Sequence, residues 1–182
     1  MTDGAAEFER LSRNWFHWSG LAQLGGASVS RSCPDCAVLF GATESAVHLR
    51  HAGEWWSVDT VNERGSRHAD SALFSTFALA EKYLIWMWGS EARTVVQAPI
   101  LGQRLYALGF DNGVETIALG PGKFEVRSPA GRAVLIEPYA TIFSHLMGRS
   151  VPEIEEMLQF GGPGLGVAAF RCTASLEADL PS

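Results

Sequence analysis

The densest group of potentially reactive side chains is the segment Cys33–Cys36, which reads Cys-Pro-Asp-Cys. Two cysteines at this spacing suit a redox pair or one half of a zinc site. His48 and His51 extend the spacing to C-x2-C-x11-H-x2-H, which is close to that of a zinc finger. Both histidines fall in a predicted strand, where residues three apart point to opposite faces. We therefore predict a turn with two free thiols and no bound metal, with a redox pair and a zinc site as the alternatives.

Other groups of polar residues lack the spacing of a catalytic site. The five histidines lie far from any nucleophile signature such as G-x-S-x-G. Three glutamates, Glu153, Glu155 and Glu156, crowd the first turn of a predicted helix, where the helix dipole favours acids. The glycine-rich segment 161–166 lacks the strand and helix that a phosphate-binding loop needs. We therefore predict no enzyme activity, no catalytic residues and no cofactor.

The segment Asn62–His68 is the strongest candidate for binding a partner. It combines two arginines, a glutamate and a glycine in a short polar loop. Glycine permits a sharply protruding tip, and the guanidinium groups are fork-shaped donors for carboxylates or phosphates. A merely solvated loop is the alternative. The candidate binding residues in this loop are Asn62, Glu63, Arg64, Gly65, Ser66 and Arg67.

Trp55 and Trp56 form a second candidate, because adjacent residues of a strand face opposite sides of a sheet. One tryptophan must therefore leave the core or meet a further layer. Tryptophan is enriched at binding hot spots, so one of the pair is a candidate interface anchor. A sheet that is covered on both faces explains the pair equally well.

The elements that must position these residues predict an α+β fold. Apolar spacing predicts an N-terminal helix over 4–23, a central helix over 69–89 and C-terminal helices over 138–160. Short strand-like runs separated by turn sequences predict two meanders, over 36–61 and 106–136. The predicted strands are 36–41, 46–51, 55–61, 106–108, 114–119, 123–127 and 132–136, with one further edge strand at 167–172 in the tail 161–182. We expect one largely antiparallel sheet, packed by all three sets of helices in a single domain over 1–182.

Composition narrows the class of partner. The chain has 182 residues, 47% of them apolar, and a formal net charge of -6. This apolar content is enough to support a folded core. Because the basic residues are few and scattered, we expect no nucleic-acid partner. The sequence has neither a membrane-spanning apolar run nor a basic signal-peptide start, so we expect a cytoplasmic protein.

The order of these features resembles the immunity proteins of bacterial polymorphic toxin systems. The resemblance rests on the N-terminal helix, the strand Glu54–Asp59, the polar loop and the segment Phe74–Arg93. Within that group, the chain is most similar to immunity factors of the tuberculosis necrotizing toxin, an NAD glycohydrolase. The resemblance implies a non-catalytic antitoxin that binds the toxin domain as a 1:1 complex and blocks its NAD-binding cleft. A small-molecule binding protein or an unrecognised enzyme, with a cleft between sheet and helices, is the alternative.

Overall fold

The computed structural model describes residues 3–159, and their side chains from Phe8 onward. This part of the chain forms helices on one face of an eight-stranded antiparallel sheet, which confirms the predicted α+β class. The helices are α1 (Asp3–Leu21), α2 (Phe77–Val95), α3 (Leu101–Ala107), α4 (Tyr139–Ser144) and α5 (Val151–Leu158). The strands are β1 (Ser28–Ser30), β2 (Val38–Gly41), β3 (Ala46–Ala52), β4 (Trp55–Val61), β5 (Arg67–Phe74), β6 (Glu115–Gly120), β7 (Lys123–Ser128) and β8 (Gly131–Ile136).

Two meanders join to make this sheet, as the turn sequences predict. The strand order is β1-β2-β3-β4-β5-β8-β7-β6, so β5 and β8 connect the first meander to the second. Their pairing is short, with Leu73 opposite Val134 and Phe74 opposite Ala133. Beyond these pairs the two strands separate, which leaves a gap in the sheet between the start of β5 and the end of β8.

The central helix begins at Phe77, so the prediction that it begins at residue 69 is wrong. Residues Arg67–Phe74 instead form β5, which pairs with β4. Asp70 has a positive φ of 50° where the register of this pairing shifts. Because of this shift, apolar and polar residues do not alternate regularly along β5 in the sequence. The side chain of Thr76 accepts a hydrogen bond from the Leu79 amide and caps α2. The polar loop therefore joins two strands, not a strand and a helix.

The strand predicted at 106–108 is also wrong, because these residues belong to the end of α3 and the turn that follows it. Leu101 and Leu105 are one helical turn apart, and both pack against the core. Smaller differences concern element ends. Helix α1 ends at Leu21, α2 continues to Val95 beyond its predicted end at residue 89, α4 begins at Tyr139 and α5 ends at Leu158. The sequence analysis does not predict the short strand β1. The tail 161–182, with its predicted strand at 167–172, lies outside the described residues.

The core lies between the sheet and the helices. Phe40 of β2 packs against Trp15 of α1 and Trp88 of α2, with ring centroids 6.2 and 5.0 Å away. Phe74 of β5 packs against Tyr83 of α2, 5.1 Å away, and Phe143 of α4, 5.3 Å away. Alternate strand residues therefore point toward the helices, and their neighbours point to the opposite face. Among the described helices, none is long and apolar enough to cross a membrane.

Candidate functional site

A buried carboxylate organises the face of the sheet opposite to the helices. Asp59 of β4 is fully buried, and its carboxylate accepts hydrogen bonds from Arg50 and Arg67 at 2.7 to 3.1 Å. The backbone amide of Asp70 donates a further bond of 2.9 Å. Burial alone would raise the pKa of Asp59, but the hydrogen bonds from Arg50, the Asp70 amide and Arg67 lower this pKa to about 2. Asp59 is therefore an anion that ties β3, β4 and β5 together.

The loop Asn62–Ser66 is the turn of the β4–β5 hairpin. The amide of Gly65 donates to the carbonyl of Asn62 at 2.9 Å, and the amide of Asn62 donates to the carbonyl of Ser66 at 3.1 Å. The side-chain oxygen of Asn62 also accepts from the amides of Arg64 and Ser66, at 3.1 and 3.0 Å. Gly65 has a positive φ of 72°. The hairpin is therefore a type I turn followed by a left-handed glycine, and its backbone is internally bonded.

The two arginines of this hairpin have different surroundings. Arg67 lies at the base, where it bonds Asp59 and also forms an ion pair of 2.8 Å with Asp35. Arg64 is exposed at a central position of the turn, beside Glu63, with Gly65 following both residues. The hairpin geometry thus places Glu63 and Arg64, rather than Gly65, at the tip. Arg67 orients the hairpin from below, and Arg64 is the arginine that projects.

The tryptophan pair points to opposite faces, as expected for adjacent strand residues. Trp56 packs on the helix side against Phe77, with ring centroids 5.2 Å apart, and against His51, at 4.6 Å. Trp55 lies on the other face, where the guanidinium of Arg132 sits 4.9 Å from its ring centroid. Both indoles are half-buried. Trp55 is therefore the member of the pair that shares a face with the Asp59 cluster.

The segment between β1 and β2 places the cysteine pair against this same face. Cys33 and Cys36 form a disulfide, so the prediction of two free thiols is wrong. The Sγ of Cys33 lies 3.7 Å from His48 Nδ1. Burial and, after it, the positive charge of Arg67 lower the pKa of His48. His51 points to the helix side, which confirms that the two histidines face apart.

A cleft of about 360 Å³ opens where β5 and β8 separate. Its walls come from the first half of β5, the end of β8, the start of β7 and helix α2, and they include His68, Tyr83, Lys123 and Leu135. The turn between β6 and β7 lies at the same end of the sheet as the β4–β5 hairpin, because β8 runs antiparallel to β5 and β7 antiparallel to β8. The cleft and the hairpin therefore share one end of the molecule.

Several residues of this site have no counterpart in the sequence predictions. The sequence singled out Arg67 but not its partners Asp59 and Asp35, nor Arg50 on the neighbouring strand. The sequence does contain a sign of this polar cluster. Ser57 and Asp59 occupy alternate positions of β4, whereas Trp56 and Val58 on its other face are apolar. The partner strand β5 was not predicted, and the cross-strand cluster could not be assembled without it.

Comparison with known proteins adds a family and a fold. A family model described as Immunity protein 61 (Imm61) matches residues 21–159, which include every site residue named above. Among solved structures, Rv3902c from M. tuberculosis has a similar fold, with a TM-score of 0.59 and 13% sequence identity. The alignment covers 78% of this chain and 86% of that chain. No curated protein matches this chain.

Proposed function

This chain belongs to the Immunity protein 61 family, and we propose that it is an antitoxin that binds an NAD-hydrolysing toxin domain as a 1:1 complex. Membership of an immunity-protein family implies a cognate toxin as partner and inhibition by binding rather than by catalysis. The choice of an NAD glycohydrolase as target rests on the resemblance described from the sequence. In this proposal the β4–β5 hairpin enters the NAD-binding cleft of the toxin and occupies the place of the nucleotide.

The observation that carries this proposal is the construction of the hairpin. Its turn is closed by four hydrogen bonds that involve Asn62, so little conformational entropy is lost when it enters a cleft. A Cβ built on Gly65 would meet no atom within 4 Å, and residues 62–66 are all exposed. Its base is fastened by Arg67 through Asp59 and Asp35. The hairpin is thus a narrow, preorganised projection.

The proposal assigns a separate role to each candidate residue. Glu63, Arg64 and Ser66 contact the wall of the toxin cleft, and Arg64 pairs with its carboxylate or carbonyl groups. Asn62 and Gly65 hold the turn in shape. Arg67 orients the hairpin, Trp55 adds an aromatic contact beside it, and Trp56 supports β4 from the core.

A binding experiment tests the role of Arg64. The partner is the NAD-hydrolysing domain that co-purifies with this chain from its native cell. We expect Arg64→Ala to weaken binding by about thirtyfold, which corresponds to about 2 kcal/mol for a desolvated charged contact. Calorimetry measures the affinity, and protection of NAD from hydrolysis measures inhibition. Arg104→Ala removes another exposed arginine, from α3, and is the matched control.

The proposal fails if Arg64→Ala and Arg64→Glu both bind and protect as well as the parent protein. Thermal unfolding of each variant must match that of the parent, so that a loss of binding reflects the contact and not the fold. Failure of this chain to bind any NAD-hydrolysing domain would overturn the choice of target but not the family.

The cleft between β5 and β8 favours a second candidate function, the binding of a small molecule. It has a polar side chain at His68, a cation at Lys123 and two tyrosines, Tyr83 and Tyr139. Such a mixture of apolar walls and a few polar groups is typical of ligand sites. Native mass spectrometry of the protein purified from its own cell would reveal a retained ligand. Loss of that ligand in Lys123→Ala, with toxin binding intact, would assign the cleft this separate role.

A further inference from the structure

Four potential metal ligands meet on the face of the sheet opposite to the helices. Cys33, Asp35, Cys36 and His48 each offer one ligand atom, and these atoms all lie within 4.8 Å of one another. The Sγ of Cys33 is 3.2 Å from Asp35 Oδ1 and 3.7 Å from His48 Nδ1. Among the described residues, no other group of three or more such side chains has this geometry.

These separations are close to the edges of a zinc tetrahedron. Zinc bonds of about 2.3 Å to sulfur and about 2.0 to 2.2 Å to nitrogen or oxygen place neighbouring ligand atoms roughly 3.3 to 3.8 Å apart. The distances from Cys33 Sγ to the histidine nitrogen and to the carboxylate oxygen already approach this value. The two sulfurs are bonded to each other in the disulfide, so the edge between them must lengthen when the pair is reduced and binds a metal.

We propose that the reduced Cys33–Cys36 pair, together with His48 and Asp35, binds one Zn²⁺ ion. A dithiol reductant first exchanges with the disulfide, giving two thiols here and a disulfide in the reductant. The two thiols then release two protons as their sulfurs bond the metal. Thiolate and imidazole ligands favour zinc over harder cations such as magnesium or calcium.

This site revises the expectation of no metal, which considered His48 and His51 as the two further ligands. That pair is excluded, since His51 lies against Trp56 on the helix side of the sheet. Asp35 supplies the fourth ligand instead, from inside the cysteine turn itself. The inference requires nothing from the proposed toxin binding.

The site is connected to the hairpin through the carboxylate of Asp35. Its Oδ1 faces Cys33, and its Oδ2 lies 2.8 Å from Arg67 Nη1. Zinc bound through Oδ1 leaves Oδ2 in contact with Arg67. The metal would therefore hold the carboxylate that orients the base of the hairpin, as outer partners orient metal ligands elsewhere.

Metal titration of the reduced protein tests the site. The full chain carries Cys172→Ser so that the pair supplies all of its thiols, and a phosphine reductant keeps them reduced. We expect one Zn²⁺ per chain by elemental analysis, and none in the oxidised protein. Co²⁺ in place of zinc should give the charge-transfer absorption of cobalt–thiolate bonds and the visible bands of a tetrahedral site.

Single variants distinguish the four ligands from their surroundings. Cys36→Ser should abolish stoichiometric binding, and His48→Ala and Asp35→Asn should each weaken it by at least about tenfold. His51→Ala is the matched control and should bind zinc like the parent. Circular dichroism without metal identifies any variant that fails to fold. If His48→Ala does not fold, the Co²⁺ spectrum of His48→Cys tests the same ligand position instead. Absence of zinc from the reduced parent, or equal affinity in His48→Ala, would overturn the proposal.

Discussion

Asp59 is an unusual residue to find buried, because removing a carboxylate from water costs free energy unless the carboxylate is paired. Its two arginine partners remain partly exposed, with 26% and 35% of their side chains accessible to solvent. They therefore keep much of their own hydration while neutralising the buried charge. Such a cluster fixes the arrangement of β3, β4 and β5, and replacing one member would leave the remaining charges without their partner.

The first prediction concerns the acid dependence of this cluster. The pKa of Asp59 falls from 3.8 to about 2 on folding. A depressed pKa contributes stability that is complete above the unfolded value and is lost as pH falls through the folded value. We expect Asp59→Asn to lower the free energy of unfolding by about 2 kcal/mol at pH 7. The difference between the two proteins should shrink from about pH 4 toward pH 2.

Urea unfolding at several pH values measures this difference. Glu44→Gln changes an exposed acid of the β2–β3 turn and should alter the free energy of unfolding by less than about 0.5 kcal/mol. A constant difference between the parent and Asp59→Asn from pH 7 to pH 2 would contradict the role of the ionised carboxylate.

The second prediction separates the two tryptophans. Trp56 contacts aromatic rings of both α1 and α2, so Trp56→Ala should lower the free energy of unfolding by about 3 kcal/mol. Trp55 is half-buried and lies against the guanidinium of Arg132, a contact of a type that is worth about 1 kcal/mol. Chemical unfolding of both variants gives the comparison, with Arg132→Ala as the partner control. If Trp55→Ala is the more destabilising variant, the assignment of Trp56 to a structural role and of Trp55 to a binding role is wrong.

At the scale of elements, the β4–β5 hairpin depends on a single backbone requirement. Gly65 has a φ of 72°, a conformation that asparagine tolerates and β-branched residues avoid. Gly65→Val should therefore lower the free energy of unfolding by at least about 1 kcal/mol. Gly65→Asn should cost less than half as much, because asparagine tolerates this φ and the site has open space for either side chain. Thermal unfolding measures both, and equal losses would show that the turn does not need this conformation.

Helix packing provides a matched pair of glycines. A Cβ on Gly89 of α2 would lie 2.5 Å from Leu158 Cδ1 and 3.0 Å from its Cγ, inside the contact with α5. A Cβ on Gly20, in the last turn of α1, would meet nothing within 4 Å. We expect Gly89→Ala to lower the free energy of unfolding by about 1 to 3 kcal/mol through overpacking. Gly20→Ala should raise it by about 0.5 kcal/mol through helix propensity.

Denaturant unfolding of both alanine variants provides the measurement. In a Leu158→Val background the loss from Gly89→Ala should become smaller, since the two positions are in contact. If Gly89→Ala lowers the free energy of unfolding by the same amount in that background, the close approach of α2 and α5 is not the cause of the destabilisation.

The sequence predicted those elements whose signals are local. The second meander follows from its turn residues, and α5 from Ser150 and Glu153, which form the expected capping box. The sequence analysis does not predict β5, because Leu73, Phe74 and Phe77 also fit the apolar spacing of a helix. Residues 67–74 form a strand because they pair with β4, which is distant information that the local pattern does not contain. The Asp59 cluster depends on that same pairing. Long-range pairing is therefore what the sequence alone did not supply.

At the scale of the whole molecule, the two meanders share one core although their strands pair over a short distance. The cluster of Phe74, Tyr83 and Phe143 brings together β5, α2 and α4, with ring centroids 5.1 to 5.7 Å apart. Since α4 also contacts β7 and β8, this cluster links the first meander to the second. The aromatic contacts, more than the strand pairing, should hold the two halves together.

The last prediction is that residues 3–159 unfold as one cooperative unit. All six tryptophans lie between residues 15 and 88, so their fluorescence reports on the first meander and the helices packed on it. Hydrogen exchange of amides in β7 reports on the second meander. Both should yield the same free energy of unfolding, and Phe143→Ala should lower both by about 3 to 5 kcal/mol. Two separate transitions, or a loss confined to β7, would mean that the meanders are independent domains, because a shared core cannot be disrupted on one side alone.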